Sequence, residues 1–323
     1  MLGALMLPVR PKGEVLMKKQ LITTCAIALS SSLLFAQDMS VIPKVIYGDD
    51  NRVDVIDSNN PLFVKLALST AAQIDKSKLT VRGADAILAF ESLENGMGVC
   101  PTEKFAAQNS IARCSGFLIA KDLLVTAGHC VRSQEECEKY SWVFDYREGE
   151  VDDGKLPSSS VYNCKKVIKQ ALDPISDADY ALIKLDRKVK DRKPLKFRKS
   201  GSPEVGDELV VIGHPSGLTT KVSDGAKVIA NDADQFILTD LDTYGGNSGS
   251  AVFNTSKGTI EGILVRGARD YIYDWQQGCY ISNVCDSVGG AGCEGEEVSR
   301  ISKVQLKKFT GIIGFFKRLF GLL

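Results

Sequence analysis

Residues 114–130 read CSGFLIAKDLLVTAGHC, and inside the two cysteines lie two apolar runs, Gly116–Ala120 and Leu123–Ala127, split by Lys121-Asp122. Each run is too short for a helix and is bounded by a polar turn, so the pair predicts a β-hairpin. The same pattern recurs downstream at Tyr180–Leu185 (YALIKL), Glu208–Ile212 (ELVVI), Phe236–Thr239 (FILT), Ser250–Phe253 (SAVF) and Thr259–Val265 (TIEGILV). The stretch NTSKG at 254–258 supplies a turn between the last two. Many short strands separated by polar turns, with few helical patterns, indicate an all-β sandwich or barrel. Lys188–Ser202 interrupts the strands with charge and a proline and reads as a connector between two halves. Phe63–Ile74 (FVKLALSTAAQI) reads as helical.

Composition bounds what such a chain can do. The 323 residues suit one large domain or two half-domains around a sizeable core. Forty Lys+Arg balance forty Asp+Glu, which removes the usual electrostatic argument for a nucleic-acid partner. Two histidines leave too few ligands for a multi-histidine metal site, and neither a metal nor a cofactor is implied. No apolar run reaches the length of a membrane-spanning helix.

The amino-terminal region has the parts of a secretory signal. Lys18-Lys19 precede Leu21–Ala36 (LITTCAIALSSSLLFA), a 16-residue apolar stretch ending in a small residue. The signal starts at Met17, which is expected to be the true start, and residues 1–36 form the signal region. Cutting after Ala36 removes Arg10, Lys12, Lys18, Lys19 and Glu14, leaving 36 bases against 39 acids, net −3. It also removes Cys25, and the eight remaining cysteines in an exported chain read as disulfides. A secreted or periplasmic location is expected. Residues 37–80 read as an amino-terminal segment that could hold a propeptide, and 81–305 as the catalytic domain, with its connector at about 187–205.

The last residues differ in kind. Along 306–323 (LKKFTGIIGFFKRLFGLL), Leu306, Phe309, Ile313, Phe316, Phe320 and Leu323 share one helical face. Lys307, Thr310, Gly314, Lys317, Arg318 and Gly321 lie largely opposite, which predicts a basic amphipathic helix. Two readings stay open: contact with a membrane surface, or packing of the apolar face on the barrel.

Three segments carry candidate chemistry. Ser248 lies in Gly245-Gly246-Asn247-Ser248-Gly249-Ser250, where glycines permit a tight turn and close approach of a substrate carbonyl. A serine hydroxyl needs a base to become a nucleophile, and the N–H groups of Gly246 and Ser248 can face a developing oxyanion. His129, in TAGHC just past a strand, is the candidate base. His214, in Gly213-His214-Pro215, is its competitor and reads as a turn residue. Asp179 enters the strand Tyr180–Leu185, where its carboxylate can accept the imidazole Nδ1–H and fix the tautomer; Asp177 and Asp173 are weaker candidates.

With these residues in the order His, Asp, Ser, the chain resembles the chymotrypsin-like serine proteases over roughly residues 110–300. TAGHC stands for their TAAHC, DYALIKL for their aspartate strand and GNSGS for their nucleophile loop. The bacterial glutamyl-endopeptidase-like branch is the most similar group, sharing GGNSGS, and Val45–Val53 (VIYGDDNRV) resembles its mature start. The resemblance implies two antiparallel six-stranded β-barrels with the site between them, and an acyl-enzyme hydrolysis of protein or peptide substrates without a cofactor. It also implies a Cys114–Cys130 disulfide tethering the histidine loop. The other six cysteines allow fifteen pairings, of which Cys137–Cys164 is the preferred local bridge.

Departures from the pattern bear on activation and specificity. Asn247 replaces the aspartate that pairs with a new amino terminus in trypsins, and Tyr244 stands where they have a cysteine. Asp242, six residues before Ser248, occupies the trypsin pocket floor and implies Arg or Lys at the cleaved bond, with Thr243 and Gly267 lining the same pocket. Leu264 stands where the glutamyl branch has its acid-reading histidine, which argues against Glu. Arg266, on the same strand, has two expected roles: a bridge to Asp242 or a contact with substrate. Two alternatives to an active protease are a catalytically silent binding module on this fold and a membrane-active effector.

Overall fold

The computed structural model describes residues 45–151 and 153–310. Six strands close the first barrel: β1 (Thr70–Asp75), β2 (Ala112–Ala120), β3 (Leu123–Thr126), β4 (Tyr140–Phe144), β5 (Val161–Asp173) and β6 (Ala178–Leu185). Around the barrel their order is β5-β6-β3-β2-β1-β4. Six more form the second: β7 (Glu208–Gly213), β8 (Lys221–Ala230), β9 (Phe236–Thr239), β10 (Ala251–Asn254), β11 (Thr259–Arg266) and β12 (Glu296–Arg300). Their order is β7-β10-β11-β12-β9-β8, and pairing of β7 with β8 closes the ring. The molecule is thus mostly β, with two closed antiparallel barrels and few helices, as the resemblance implied.

The predicted hairpin is β2–β3, with Leu118 opposite Leu124. Its apolar residues, together with Trp142, Phe144 and Ile183, are wholly buried and fill the first barrel. The connector runs from the end of β6 to the start of β7, between the halves.

The reading of Phe63–Ile74 as one helix is corrected. A helix occupies Pro61–Ala67, started by Asn60, whose Oδ1 accepts from Leu62 N at 3.0 Å, and by Pro61 in the first turn. From Thr70 the chain becomes β1, pairing with β2 (Ala71 opposite Gly116) and β4 (Ala72 opposite Val143). Ala71, Ala72 and Gln73 have good helix propensity, but ladder bonds on both edges of a buried strand outweigh it. The expected domain start at 81 shifts as well: β1 is a stave of the first barrel, and Arg52–Asp54 adds a strand to β8.

Four disulfides join Cys100–Cys279, Cys114–Cys130, Cys137–Cys164 and Cys285–Cys293. The expected Cys114–Cys130 and Cys137–Cys164 bridges are both present. Cys100–Cys279 ties a segment ahead of β2 to a hairpin (Tyr271–Asp274 and Cys279–Ser282) of the second half. Among the described residues no helix is long and apolar enough to cross a membrane. Of the predicted terminal helix, Leu306–Lys308 is a 3-10 turn with Leu306 buried and Phe309 packed on the core. Residues 311–323 of that prediction lie outside the described residues, as do the signal region and residues 37–44 of the segment expected to hold a propeptide.

Candidate active site

The site forms where the end of β3, the start of β6 and the loop before β10 converge. His129 sits in a 3-10 turn, Gly128–Cys130, directly after β3, and the Cys114 bridge returns that turn to β2. Asp179 is the second residue of β6, which pairs with β3. Its Oδ2 lies 2.7 Å from His129 Nδ1, and its Oδ1 accepts from the N–H of Gly128 at 2.5 Å and of His129 at 3.1 Å. One carboxylate therefore fixes both the ring and the backbone of the histidine turn. Both side chains are almost fully buried, which strengthens the ion-assisted bond between them.

Ser248 lies in the tight loop 245–249 and is itself buried. The loop is held by four contacts from distant elements. Ser115 N donates to Ser248 O at 2.8 Å, and Ser115 Oγ to Gly246 O at 2.8 Å. Gly249 N donates to Leu264 O at 2.8 Å, and Gly245 N to Asp270 Oδ2 at 2.8 Å. Ser115 is next to Cys114, so the nucleophile loop and the histidine turn are braced by the same strand of the first barrel.

Tyr244 explains how the loop is supported without the trypsin cysteine. Its buried ring stacks on Tyr271, centroids 4.8 Å apart, and carries the Arg52 guanidinium over its face at 4.1 Å. Arg52 is in turn gripped by Asp50, Nε to Oδ1 at 2.9 Å and Nη2 to Oδ2 at 2.6 Å. A cation held over an aromatic face in a desolvated layer is worth about 2 kcal/mol, enough to brace the loop.

The other predicted residues fall as follows. Asp242 is buried, and its two oxygens accept the N–H of Tyr47 at 2.7 Å and of Asn51 at 3.0 Å. Burial pushes its carboxyl up to about 6, against the pull of those two donors. Thr243 is buried beside it, its N–H donating to Val45 O at 3.1 Å, so the segment 45–51 packs along Asp242 and Thr243. Gly267 follows β11 and borders a cleft of about 610 Å³ with Ala268, Arg269, Ile272 and Asn283. Arg266 does not bridge to Asp242: it pairs with Asp177 Oδ1 at 3.2 Å and Glu297 Oε2 at 3.0 Å. Asp177, the weaker candidate beside Asp179, is thus an ion-pair partner of Arg266. Cys114, His129 and Cys130 bring three potential ligand atoms together, but both sulfurs are spent in the disulfide and offer no thiolate to a metal.

His214 is fully buried at the end of β7, its Nδ1 donating to Leu218 O at 3.1 Å. Burial, aided by the Lys221 charge, pushes its imidazole down to about 3 from 6.5, so it is neutral at any ordinary pH and does not compete as a base. The shift has a stability consequence. The unfolded chain binds this proton below about pH 6.5, whereas the folded chain does so only near 3. His214 therefore contributes stability that is present above 6.5 and lost as pH falls toward 3, at up to about 1.4 kcal/mol per pH unit. Asp242 acts with opposite sign, since a raised carboxyl takes up its proton in the folded state first, between about 6 and 3.8. Denaturant titrations from pH 7 to 4 on wild type and His214→Asn, whose amide keeps a donor for Leu218, are expected to give a flatter acid slope in the variant. Equal slopes would show that His214 does not resist protonation.

Sequence reasoning missed Asp270, Ser115 and the Arg52–Tyr244–Tyr271 stack. None has a local signal: each acts on a loop remote in sequence.

Residues 114–263 match the family model described as the trypsin-like peptidase domain. In fold and motif order the chain is similar to the chymotrypsin-fold serine proteases, and this match falls within that part of it. An uncharacterized protein of Sinorhizobium fredii is 26% identical over 155 residues, 43% of this chain and 23% of that protein. A probable periplasmic serine endoprotease, DegP-like, of Buchnera aphidicola is 37% identical over 92 residues, 26% of this chain and 19% of that protein. The chain thus spans about a fifth of the length of the curated relatives it matches. Among solved structures, a Glu endopeptidase is 17% identical with TM-score 0.47, covering 82% of this chain and 98% of its own. A serine endoprotease from Yersinia pestis is 15% identical with TM-score 0.45, covering 77% and 64%.

Proposed function

We propose that this chain is an exported serine endopeptidase, acting in the periplasm or outside the cell. The observation that carries the reading is the Asp179 carboxylate, which holds His129 Nδ1 at 2.7 Å and the backbone of the same turn. That arrangement sets the imidazole with Nδ1 protonated and Nε2 available as a base. His129 takes the proton of Ser248 Oγ as it attacks the peptide carbonyl, and the N–H groups of Gly246 and Ser248 receive the oxyanion. His129 then returns the proton to the leaving amine, and water hydrolyses the acyl-enzyme by the same relay. Asp242, Thr243 and Gly267 belong to the pocket for the residue at the cleaved bond, which we take to be Arg or Lys. The four disulfides support an oxidising compartment.

The test is labelling with a fluorophosphonate probe, which reports an activated serine without knowledge of the substrate. Protein recovered from the periplasm or medium is expected to take up label at Ser248, and a folded Ser248→Ala variant none. Wild-type protein with four disulfides that stays unlabelled would instead support the silent binding module.

A further inference from the structure

The tight turn after β7 meets the nucleophile loop at Ser216. The N–H of Ser216 donates to Gly245 O, and because the 245–246 peptide is trans, the Gly246 N–H points the opposite way. The neighbouring peptides are held as well, Gly245 N by Asp270 Oδ2 and Gly246 O by Ser115 Oγ, each at 2.8 Å. Ser216 is buried and has φ +50° and ψ +23°, in the left-handed region that disfavours a side chain. Two contacts keep it there. Its Oγ lies 2.7 Å from Tyr271 Oη, and its carbonyl oxygen accepts from Ser110 Oγ. Tyr271 opens the hairpin that carries Cys279, and Ser110 lies in the segment ahead of β2 that carries Cys100, so the Cys100–Cys279 bridge ties the two anchors together.

We infer that Ser216 is a positioning residue for the oxyanion site: its hydroxyl, latched to Tyr271, aims its own N–H at Gly245 O and so keeps the Gly246 N–H directed at the developing charge. The inference rests on the protease reading above and adds a residue to its machinery. An oxyanion donor contributes to rate only if it is aimed before the charge develops. A flip of the 245–246 peptide would present a carbonyl oxygen where the N–H is needed, and the bond from Ser216 N is one that such a flip must break. Conformation alone favours glycine at position 216. The side chain is accounted for by what its hydroxyl binds, which is the Tyr271 hydroxyl on a ring already stacked on Tyr244. Tyr244 immediately precedes Gly245, so the same tyrosine braces the nucleophile loop at two points, by its ring and through Ser216.

The experiment measures the rate constant of fluorophosphonate labelling at Ser248, in which the phosphoryl oxygen gains charge at the same donors, in wild type, Ser216→Gly, Tyr271→Phe and the double variant. Thermal midpoints are recorded for all four, and kcat and KM on a peptide that the wild type cleaves. Ser216→Gly keeps the left-handed backbone and removes the hydroxyl; Tyr271→Phe keeps the ring on Tyr244 and removes the other partner. Each single variant is expected to lose about tenfold in labelling rate and in kcat, with KM within about twofold of wild type. Thermal midpoints are expected to stay within about 3 °C, which separates this role from a merely structural one. Both substitutions remove one and the same bond, so the double variant should fall no more than about twofold below the poorer single. An unchanged labelling rate in either single variant overturns the assignment while leaving the protease reading intact. So do losses that multiply in the double variant, or a rate loss that merely follows a collapse of the thermal midpoint. A wild type that neither cleaves nor takes the label overturns the protease reading, and this inference with it.

Discussion

Exchanging His129 for alanine is expected to lower kcat by about a million-fold, and exchanging Asp179 for asparagine by about ten-thousand-fold, with the fold intact in both. The first removes the proposed base, and among the described residues His214 does not replace it, being buried, neutral and bonded to Leu218. The second is the more telling test. Asp179 accepts from three N–H groups, two on the backbone and one on the ring. An asparagine amide offers one accepting oxygen and one donating nitrogen, so it cannot satisfy all three. If its oxygen serves the Gly128 and His129 N–H groups, its NH₂ faces Nδ1 and forces the proton onto Nε2. The imidazole then presents a donor to Ser248 where a base is needed. The check is kcat on a peptide amide, with circular dichroism and the disulfide count as controls. An Asp179→Asn enzyme within about tenfold of wild type would remove Asp179 from the mechanism.

Gly246→Ala is expected to cost about 2 kcal/mol of stability and to lower kcat by 10²- to 10³-fold with little change in KM. Gly246 has φ +90°, and a Cβ there would run into the carbonyl oxygen of His214 and lie 2.7 Å from Gly217 N. Neither neighbour yields easily, because both belong to backbone at the tight turn after β7. Relief comes only by shifting the 246 peptide, whose N–H is one of the two proposed oxyanion donors. Gly206 provides the control: its φ is +89°, but nothing lies within 4 Å of a Cβ built there. Gly206→Ala should therefore show the conformational cost of about 1–2 kcal/mol and leave kcat unchanged. Equal kcat losses in both variants would mean that general destabilisation, not displacement of the donor, is responsible.

Much of the site was legible because its signals are local. The hairpin of residues 116–127 is written in run length and a two-residue polar break. Ser248 is marked by flanking glycines and His129 by its position just past a strand. Asp179 announces itself by opening an apolar run. In each case the residue and the element that presents it are neighbours in sequence. The helix at 61–67 is equally local, with Asn60 and Pro61 marking its start.

The remainder depended on which distant segments meet. Whether Thr70–Asp75 is helix or strand is decided by vacant ladder positions on β2 and β4, and those exist only once the barrel closes. Asp242 is six residues from Ser248, yet its partners, Tyr47 and Asn51, lie 195 and 191 residues away. Arg266 does not reach Asp242 and pairs with Asp177 and Glu297 instead. Glu296 sits in CEGEEVSR (293–300), where three glutamates look alike as solvated charge. Only the register of β12 on β11 turns one of them inward, because a shift of a single residue exchanges the two faces of a strand. The sequence by itself thus determined the barrel class, the order of the candidate triad and the turns that carry it, all set by short-range propensity and spacing. The tertiary structure alone decided which of these carboxylates are buried and what they bond, since that choice is made by strand register and by a segment that enters from the far end of the chain.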